Sequence, residues 1–408
     1  MSAGHEHTHA SAEQLAQLDR SVQVPLLARR LVLGGVALVI AFALAGVVYL
    51  AHVVSSAESS PSPAVASSTV KATVTLVTED DAQDGDVATV TDPSGRPGAV
   101  ITAELEDGSI EHLIQVGAPD YERGIAPGDR ILLYEHETED QTSYSFAGFD
   151  RGLGVSILAA AVAAGLVLVA GWRGVRALAS LIFAGVVLWT LTLPALLAGA
   201  APTLVAGITA ALLLVVLLYL THGLSLRTSV ALLGTCSGVA LATGLYALSS
   251  RGLKLTGVTD EDELGLWGAF PDISLSALVV VAVVITAVGV LNDVTITQAS
   301  AVWELAGSSS STSRGGVFAS AMSIGRDHLA SSVYTVSFVV LGGAFSTYLM
   351  IRAYDRPVGE MLSSQAIVAE LALTLIGLAS VIAAMPLTTA LASWVALAHR
   401  PEGDVHER

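Results

Sequence analysis

Arg29-Arg30-Leu31-Val32-Leu33-Gly34-Gly35-Val36-Ala37-Leu38-Val39-Ile40 opens an apolar run that reaches Val54. About 20 such residues, rising 1.5 Å each in a helix, cross the roughly 30 Å hydrocarbon core of a bilayer. The run also outlasts the roughly 7–15-residue core of a cleaved signal peptide, so it reads as a retained anchor over 31–53. Windows of the same size find seven more spans, at 153–171, 175–197, 203–221, 228–249, 273–291, 329–350 and 366–397. The last exceeds one crossing and contains Pro386, which predicts a kinked or broken helix there. The fold class is therefore a polytopic α-helical membrane protein of about eight transmembrane helices.

Composition sharpens this reading. The 408-residue chain is 53% hydrophobic and only 13% charged, yet its formal net charge is −17. Residues 54–150 hold 19 of the 36 acidic residues against four basic ones, a charge of −15, and the remainder is nearly neutral. That segregation excludes a single soluble domain, an acidic disordered chain and a nucleic-acid binder, which needs basic patches. It leaves a membrane protein with one acidic water-soluble insert. Cys236 is the sole cysteine, so neither an intramolecular disulfide nor a cysteine-based metal site exists.

The insert reads as all-β. In Val70-Lys71-Ala72-Thr73-Val74-Thr75-Leu76 the apolar side chains fall on even positions, the period of a half-buried strand. Alternation returns at Ala99–Leu105, then Asp107-Gly108 and a run from Ile110 to Val116, which is a hairpin signal. Pro127-Gly128-Asp129 turns into Arg130–Tyr134, and Tyr144–Phe149 supplies a last strand. Five or six short strands predict a small barrel of OB or SH3-like type.

Basic residues orient the spans. With the N-terminus inside, ten arginines fall on that side: Arg20, Arg29, Arg30, Arg173, Arg176, Arg227, Arg314, Arg326, Arg400 and Arg408. The short outer loops hold Arg251, Lys254, Arg352 and Arg356. The expectation is a cytoplasmic (plasma) membrane protein with both termini cytoplasmic and the β insert outside. Its parts are a His-containing tail (1–30), the anchor (31–53), a Ser/Pro-rich linker (54–69), the acidic β domain (70–150), a seven-span membrane domain (151–397) and a second tail (398–408).

Ionisable groups at membrane depth are costly and mark function. If 291–305 continues the preceding span as a helix, Asp293, Thr297, Ser300 and Glu304 share one face at i, i+4, i+7 and i+11, with Asn292 and Gln298 beside them. Hard oxygen ligands in a stripe suit a cation or proton path; the same pattern also fits an amphipathic helix on the membrane surface. A second cluster, Arg326-Asp327-His328, stands at the mouth of the next span, where Ser323, Asp327, Ala330 and Tyr334 would share a face turned to the bundle. Arg326 alone also fits an inner-face anchor. Thr388 and Thr389 follow Pro386 and add hydroxyls where a helix carbonyl is freed. His5, His7 and His9 are weak metal candidates in a tail that also reads as solvated. Gly234 and Gly238 make a GxxxG pair around Cys236, the pattern of close helix packing.

Gly289–Leu305, with its Asp-Val-Thr-Ile-Thr-Gln-Ala-Ser-Ala-Val-Trp-Glu-Leu core, resembles the signature of the YibE/F family of multipass membrane proteins. Ser323–Ser331 and Met385–Ala390 are similar to further motifs of it, and the likeness runs over roughly 71–397. It implies a short N-terminal span, a small β domain, a helical membrane region and a site on these motifs. The family is described as permeases with no established substrate.

The function expected is a permease or transporter of a small solute or ion. Asp293 and Glu304 would be its cation or proton ligands, Thr297, Gln298 and Ser300 its neutral oxygens, and Arg326, Asp327 and His328 a relay or gate. The alternative is a non-transporting assembly or sensor protein whose outer β domain binds a protein partner or a second copy. No HExxH, GxSxG or GxGD motif occurs in the spans, so an enzyme is not the expectation, and no cofactor or nucleic acid is implied.

Overall fold

A computed structural model describes residues 24–57, 68–79, 98–137, 142–257, 274–308, 313–354 and 363–398, with a few isolated positions besides. The His5, His7 and His9 tract, most of the Ser/Pro linker and the C-terminal tail beyond 398 lie outside the described residues. The chain divides into two compact units, one drawn from 59–171 and the other from 1–58 with 172–408.

The smaller unit is built on a five-stranded antiparallel sheet of order β3-β2-β1-β4-β5. The strands are β1 (Ser68–Glu79), β2 (Ala99–Leu105), β3 (Ile110–Val116), β4 (Arg130–Glu137) and β5 (Thr142–Phe149), with a short helix α2 (Ala118–Glu122) between β3 and β4. The long β1 serves two neighbours: Ser68–Thr73 pairs with β4, and Ala72–Glu79 pairs with β2. Edge strands β3 and β5 also pack on one another. Ala72, Val74, Ile101, Ile114, Ile131 and Leu133 form the core.

The alternation read over 70–76 holds only as far as Val74. A bulge between Val74 and Leu76 inserts an extra residue, so Leu76 is 55% exposed and Val77 turns inward instead. Thr75 Oγ1 donates to the Thr102 carbonyl at 3.0 Å across that bulge. At the β2–β3 turn, Gly108 adopts φ +83°, and the Asp107 carboxylate accepts from Ser109 N (2.8 Å) and Ser109 Oγ (2.6 Å). The same unit continues into an apolar helix, α3 (Gly152–Ala170).

The larger unit is helical. In chain order it contains α1 (Leu26–Ser56), α4 (Trp172–Leu197), α5 (Pro202–His222), α6 (Leu226–Gly252), α7 (Leu275–Ser308), α8 (Arg314–Gly343), α9 (Phe345–Ala353) and α10 (Gln365–Ala396). Pro202 starts α5 at a position where no helical N–H is lost, and Ser225 and Ser313 cap α6 and α8 through Thr228 N and Gly316 N. A π-helical turn at Leu188–Thr192 interrupts α4 just ahead of Pro194, and there Thr192 and Thr209 pair their hydroxyls at 2.9 Å.

Seven helices among the described residues, α1, α3, α4, α5, α6, α7 and α10, are long and apolar enough to cross a membrane. The chain is a multipass membrane protein. The eighth expected span, 329–350, falls on the hydroxyl-rich second half of α8 and on α9, interrupted at Ala344. Helix α10, expected to be kinked or broken at Pro386, is not broken there: it runs as one helix from Gln365 to Ala396. Packing against α6, α7 and α8 holds it helical although the Ile382 carbonyl loses its N–H partner. Nor is 291–305 a separate surface helix, because it is the continuation of a single 34-residue α7.

A second apolar cluster gathers Val32 of α1, Val230 of α6, Trp303 of α7, Val317 of α8 and Val395 of α10. The start of α1 and the end of α10 therefore share one end of the bundle. At the start of α10, Gln365 Nε2 donates to Thr256 Oγ1, just beyond the end of α6.

Two tests follow from these contacts. Folding lowers the Asp107 carboxyl below its ordinary 3.8, the Ser109 hydroxyl bond being the main cause. The turn's contribution is thus complete above 3.8 and is lost as pH falls through the lower folded value. Asp107→Ala should remove that acid dependence from β-unit unfolding, followed by circular dichroism. On α1, a Cβ at Gly46 would lie 2.5 Å from Ile208 Cγ1, whereas Gly34 has nothing within 4 Å. Gly46→Leu should cost on the order of 1–3 kcal/mol in thermal unfolding of the purified protein, and Gly34→Leu almost nothing.

Candidate functional site

The centre of the bundle is the meeting of α6, α7 and α10, flanked by α8. Glycines bring these helices close. A Cβ at Gly234 of α6 would collide with the Thr388 side chain of α10. One at Gly238 would lie 2.8 Å from Leu291 and 3.0 Å from Ala384. At Gly325 of α8 it would collide with the Gln298 amide and lie 3.0 Å from Met385 Sδ.

Polar groups meet at these contacts. Thr235 of α6 and Thr295 of α7, both fully buried, pair their hydroxyls at 2.6 Å. Thr389 of α10 shares its proton between Gln298 Oε1 and the Met385 carbonyl, each at 2.8 Å. Gln298, Thr388 and Thr389 are all 0% exposed. Gln298 Nε2 and Thr388 Oγ1 are sheltered from solvent and have no hydrogen-bond partner, and the same holds for Asn292 Oδ1 on the half-buried Asn292. Unmet polar atoms in so protected a place are costly.

The expected carboxylate stripe is present as a helix face, but it is the outer one. Asp293 and Glu304 are exposed and Thr297 and Ser300 half-buried, while Leu291, Thr295, Gln298 and Val302 face the core. Thr297 Oγ1 donates to the Asp293 carbonyl at 2.8 Å. Arg326, Asp327 and His328 are likewise exposed. Ser323, Asp327, Ala330 and Tyr334 share a face as expected, yet it is turned away from the bundle; Ala321, Gly325 and Leu329 supply the packed face. The close approach of Gly325 to Gln298 sets that helix phase, because only a residue without a side chain fits there.

Two features escaped sequence reading. The first is the Thr235–Thr295 pair, which carries no charge to draw attention. Its signal was the spacing 291, 295, 298 and 302, a second face beside the acidic one. The second is a charged cluster at the end of the bundle where α1 starts and α10 ends. There His222 at the end of α5 lies within electrostatic reach of Arg227 in the first turn of α6, of Asp293 on α7 and of Arg173 and Arg176 in the first turns of α4. Arg227 is only 4% exposed, and Arg176 Nε is sheltered without a hydrogen-bond partner. Nearby, Tyr219 Oη and Ser229 Oγ pair at 2.9 Å. Asp293 thus belongs to both the outer stripe and this cluster. Among the described residues no three His, Cys, Asp or Glu side chains are grouped to hold a metal ion.

The profile of one family, described as YibE/F-like protein, matches residues 158–398, more than half of the chain. All of the seam and the charged cluster lie within it, and the five-stranded sheet lies outside. No curated protein and no solved structure matches.

The geometry makes Thr389 the donor that keeps the Gln298 carbonyl satisfied. Thr389→Val should lower stability by about 1–3 kcal/mol, the cost of a buried acceptor left unpaired. Thr389→Ser should stay near the wild type, and thermal unfolding in one detergent compares the three.

Proposed function

Because the chain belongs to the YibE/F-like family, we propose that it is a permease of the cytoplasmic membrane for a small ion or solute. The observation that carries this is the neutral, incompletely paired seam of Gln298, Thr388 and Thr389 at the centre of the bundle. Neutral amide and hydroxyl groups replace hydration without fixing a charge in place. Asp293 would stand at the mouth of this seam, with His222 and Arg227 balancing its charge. Asn292 would stand beside it, while Thr297, Ser300 and Glu304 on the outer face of α7 and Arg326, Asp327 and His328 on the exposed face of α8 would act only from outside the seam, by attracting or repelling the solute.

The spans would number eight, with α8 as the eighth. Its first turns share a cluster with the end of α10, while α10 starts beside the end of α6. A crossing between them supports this reading, and the 30 residues of α8 would reach about 45 Å. Both termini would be cytoplasmic, since the end of the bundle where α1 starts and α10 ends also carries Arg29, Arg30, Arg173, Arg176, Arg227 and Arg314. The β unit would lie on the outer face, and its strand order with the helix between β3 and β4 supports reading it as an OB-type barrel.

A second reading is favoured by the compactness of the 59–171 unit on its own: an assembly or sensor protein whose β unit docks a protein partner or a second copy. Two measurements separate the readings. A thermal-shift screen of the purified protein against ions and small acids should find a ligand whose effect is lost in Asp293→Asn. Flux of that ligand into proteoliposomes should fall at least tenfold in Asp293→Asn, with membrane insertion intact, and persist when residues 70–149 are deleted. Unchanged flux in Asp293→Asn removes the role given to this carboxylate; loss of function only on deletion of 70–149 favours the docking reading.

A further inference from the structure

A cavity of about 440 Å³ lies between α1, α5, α6 and α7, away from the polar seam. Small-molecule sites occupy roughly 300–1,000 Å³, so the volume is that of a real binding space. Its wall is hydrocarbon apart from Thr203, Thr243 and the Cys236 thiol, and the Thr243 hydroxyl is already spent on the Val239 carbonyl at 2.9 Å. No charged side chain lines it.

The shape of the lining decides what fits. On α5 it runs as one stripe from Thr203 through Gly207 and Ala211 to Leu214. Eleven helical steps are about 16 Å, half of a hydrocarbon core of roughly 30 Å. Thr203 lies in the first turn of α5, at the opposite end of that helix from His222 and the arginine cluster. The cavity thus spans one leaflet, from the cation-poor end of the bundle to its middle. Leu38 (74% exposed) and Phe42 (44%) stand at its edge, so it opens on the apolar belt and not on water.

An occupant must be apolar for about 16 Å, narrow, and able to enter from hydrocarbon. A transmembrane helix about 10 Å across and of that length needs well over twice the volume. We propose that this cavity is a binding site for one acyl chain of a membrane lipid. The lipid sits in the leaflet at the cation-poor end, with its headgroup at the level of Thr203 and the chain end beside Cys236. The small residues Gly207, Ala210, Ala211 and Ala240 make the slot. With no charge in the wall, the site selects for chain and leaflet, not for headgroup charge.

The full chain in phosphatidylcholine nanodiscs, doped with phosphatidylcholine carrying a diazirine midway along one chain, tests this. Irradiation and peptide mapping should place adducts on Phe42, Cys236 and Ala240 at least fivefold above those on Phe338, an exposed residue of α8. Ala240→Phe, introduced at an exposed position, should lower slot labelling at least fivefold and leave Phe338 unchanged. Slot labelling no higher than at Phe338, or unaffected by Ala240→Phe in a monodisperse protein, overturns the proposal. A Cys236–Cys236 disulfide between two chains under mild oxidant places a second copy in the slot and overturns it equally. Should Ala240→Phe fail to purify, the wild-type labelling ratio alone decides.

Discussion

Three glycines set the spacing on which the helical bundle depends. Inside a bilayer the lipid tails are as apolar as the helices, so association relies on close packing and hydrogen bonds. Gly234, Gly238 and Gly325 let α6 and α8 approach α7 and α10 to distances at which a methyl group would collide. The hydroxyl and amide groups on those helices therefore come within bonding range of one another. The polar seam is a consequence of this spacing: Thr388 rests against Gly234, and Gln298 against Gly325. A wider bundle would leave the same side chains to water or lipid.

Charge is handled by separation. The bundle interior holds amides and hydroxyls, whose burial costs a few kcal/mol at most when they are partly paired. The carboxylates of α7, Asp293 and Glu304, are left at the surface. The arginines gather at one end of the bundle, with Arg227 buried there, and nearly all of the net charge of −17 sits in residues 54–150. A bundle built in this way can keep its centre closed without trapping an ion. An ionised residue in the seam would require a permanent partner.

Much of the architecture was legible in the sequence. Apolar runs of the right length located the seven long apolar helices, though not the eighth span expected over 329–350, and Asp107-Gly108 located the β2–β3 hairpin, because both signals are local. The bulge at Thr75 was not legible, since nothing in Val74-Thr75-Leu76 differs from an ordinary alternating strand; the extra residue shows only in pairing with β2. The rotation of α8 was misread for a related reason. Charge singled out Arg326-Asp327-His328, but helix phase follows the tightest contact, and that is made by Gly325. Pro386 signalled a kink or a break, and three neighbouring helices keep α10 continuous through it. Asp293, Thr297, Ser300 and Glu304 share one face of α7 as their spacing implied, but it is the outer one; of the buried polar side chains beside it Gln298 was singled out, whereas Thr295, uncharged and apart from the stripe, was not.

The seam contains more hydrogen-bonding groups than pairs. Gln298 Nε2 is a donor with no acceptor, Thr388 Oγ1 has no partner, and Pro386 deprives the Ile382 carbonyl of its helical N–H. These groups lie on two adjacent helices. Natural interiors pair nearly all such atoms, so this arrangement is stable only because the surrounding contacts hold it. On the permease reading, a solute that offers an acceptor to the amide nitrogen and a donor or positive charge to the oxygens completes the set. Its binding would then be worth most in a conformation where α8 has moved off Gln298, since Gly325 now occupies the space it needs. Transport would depend on that one contact opening, and the absence of a side chain at Gly325 would be as functional as the presence of the amide it covers.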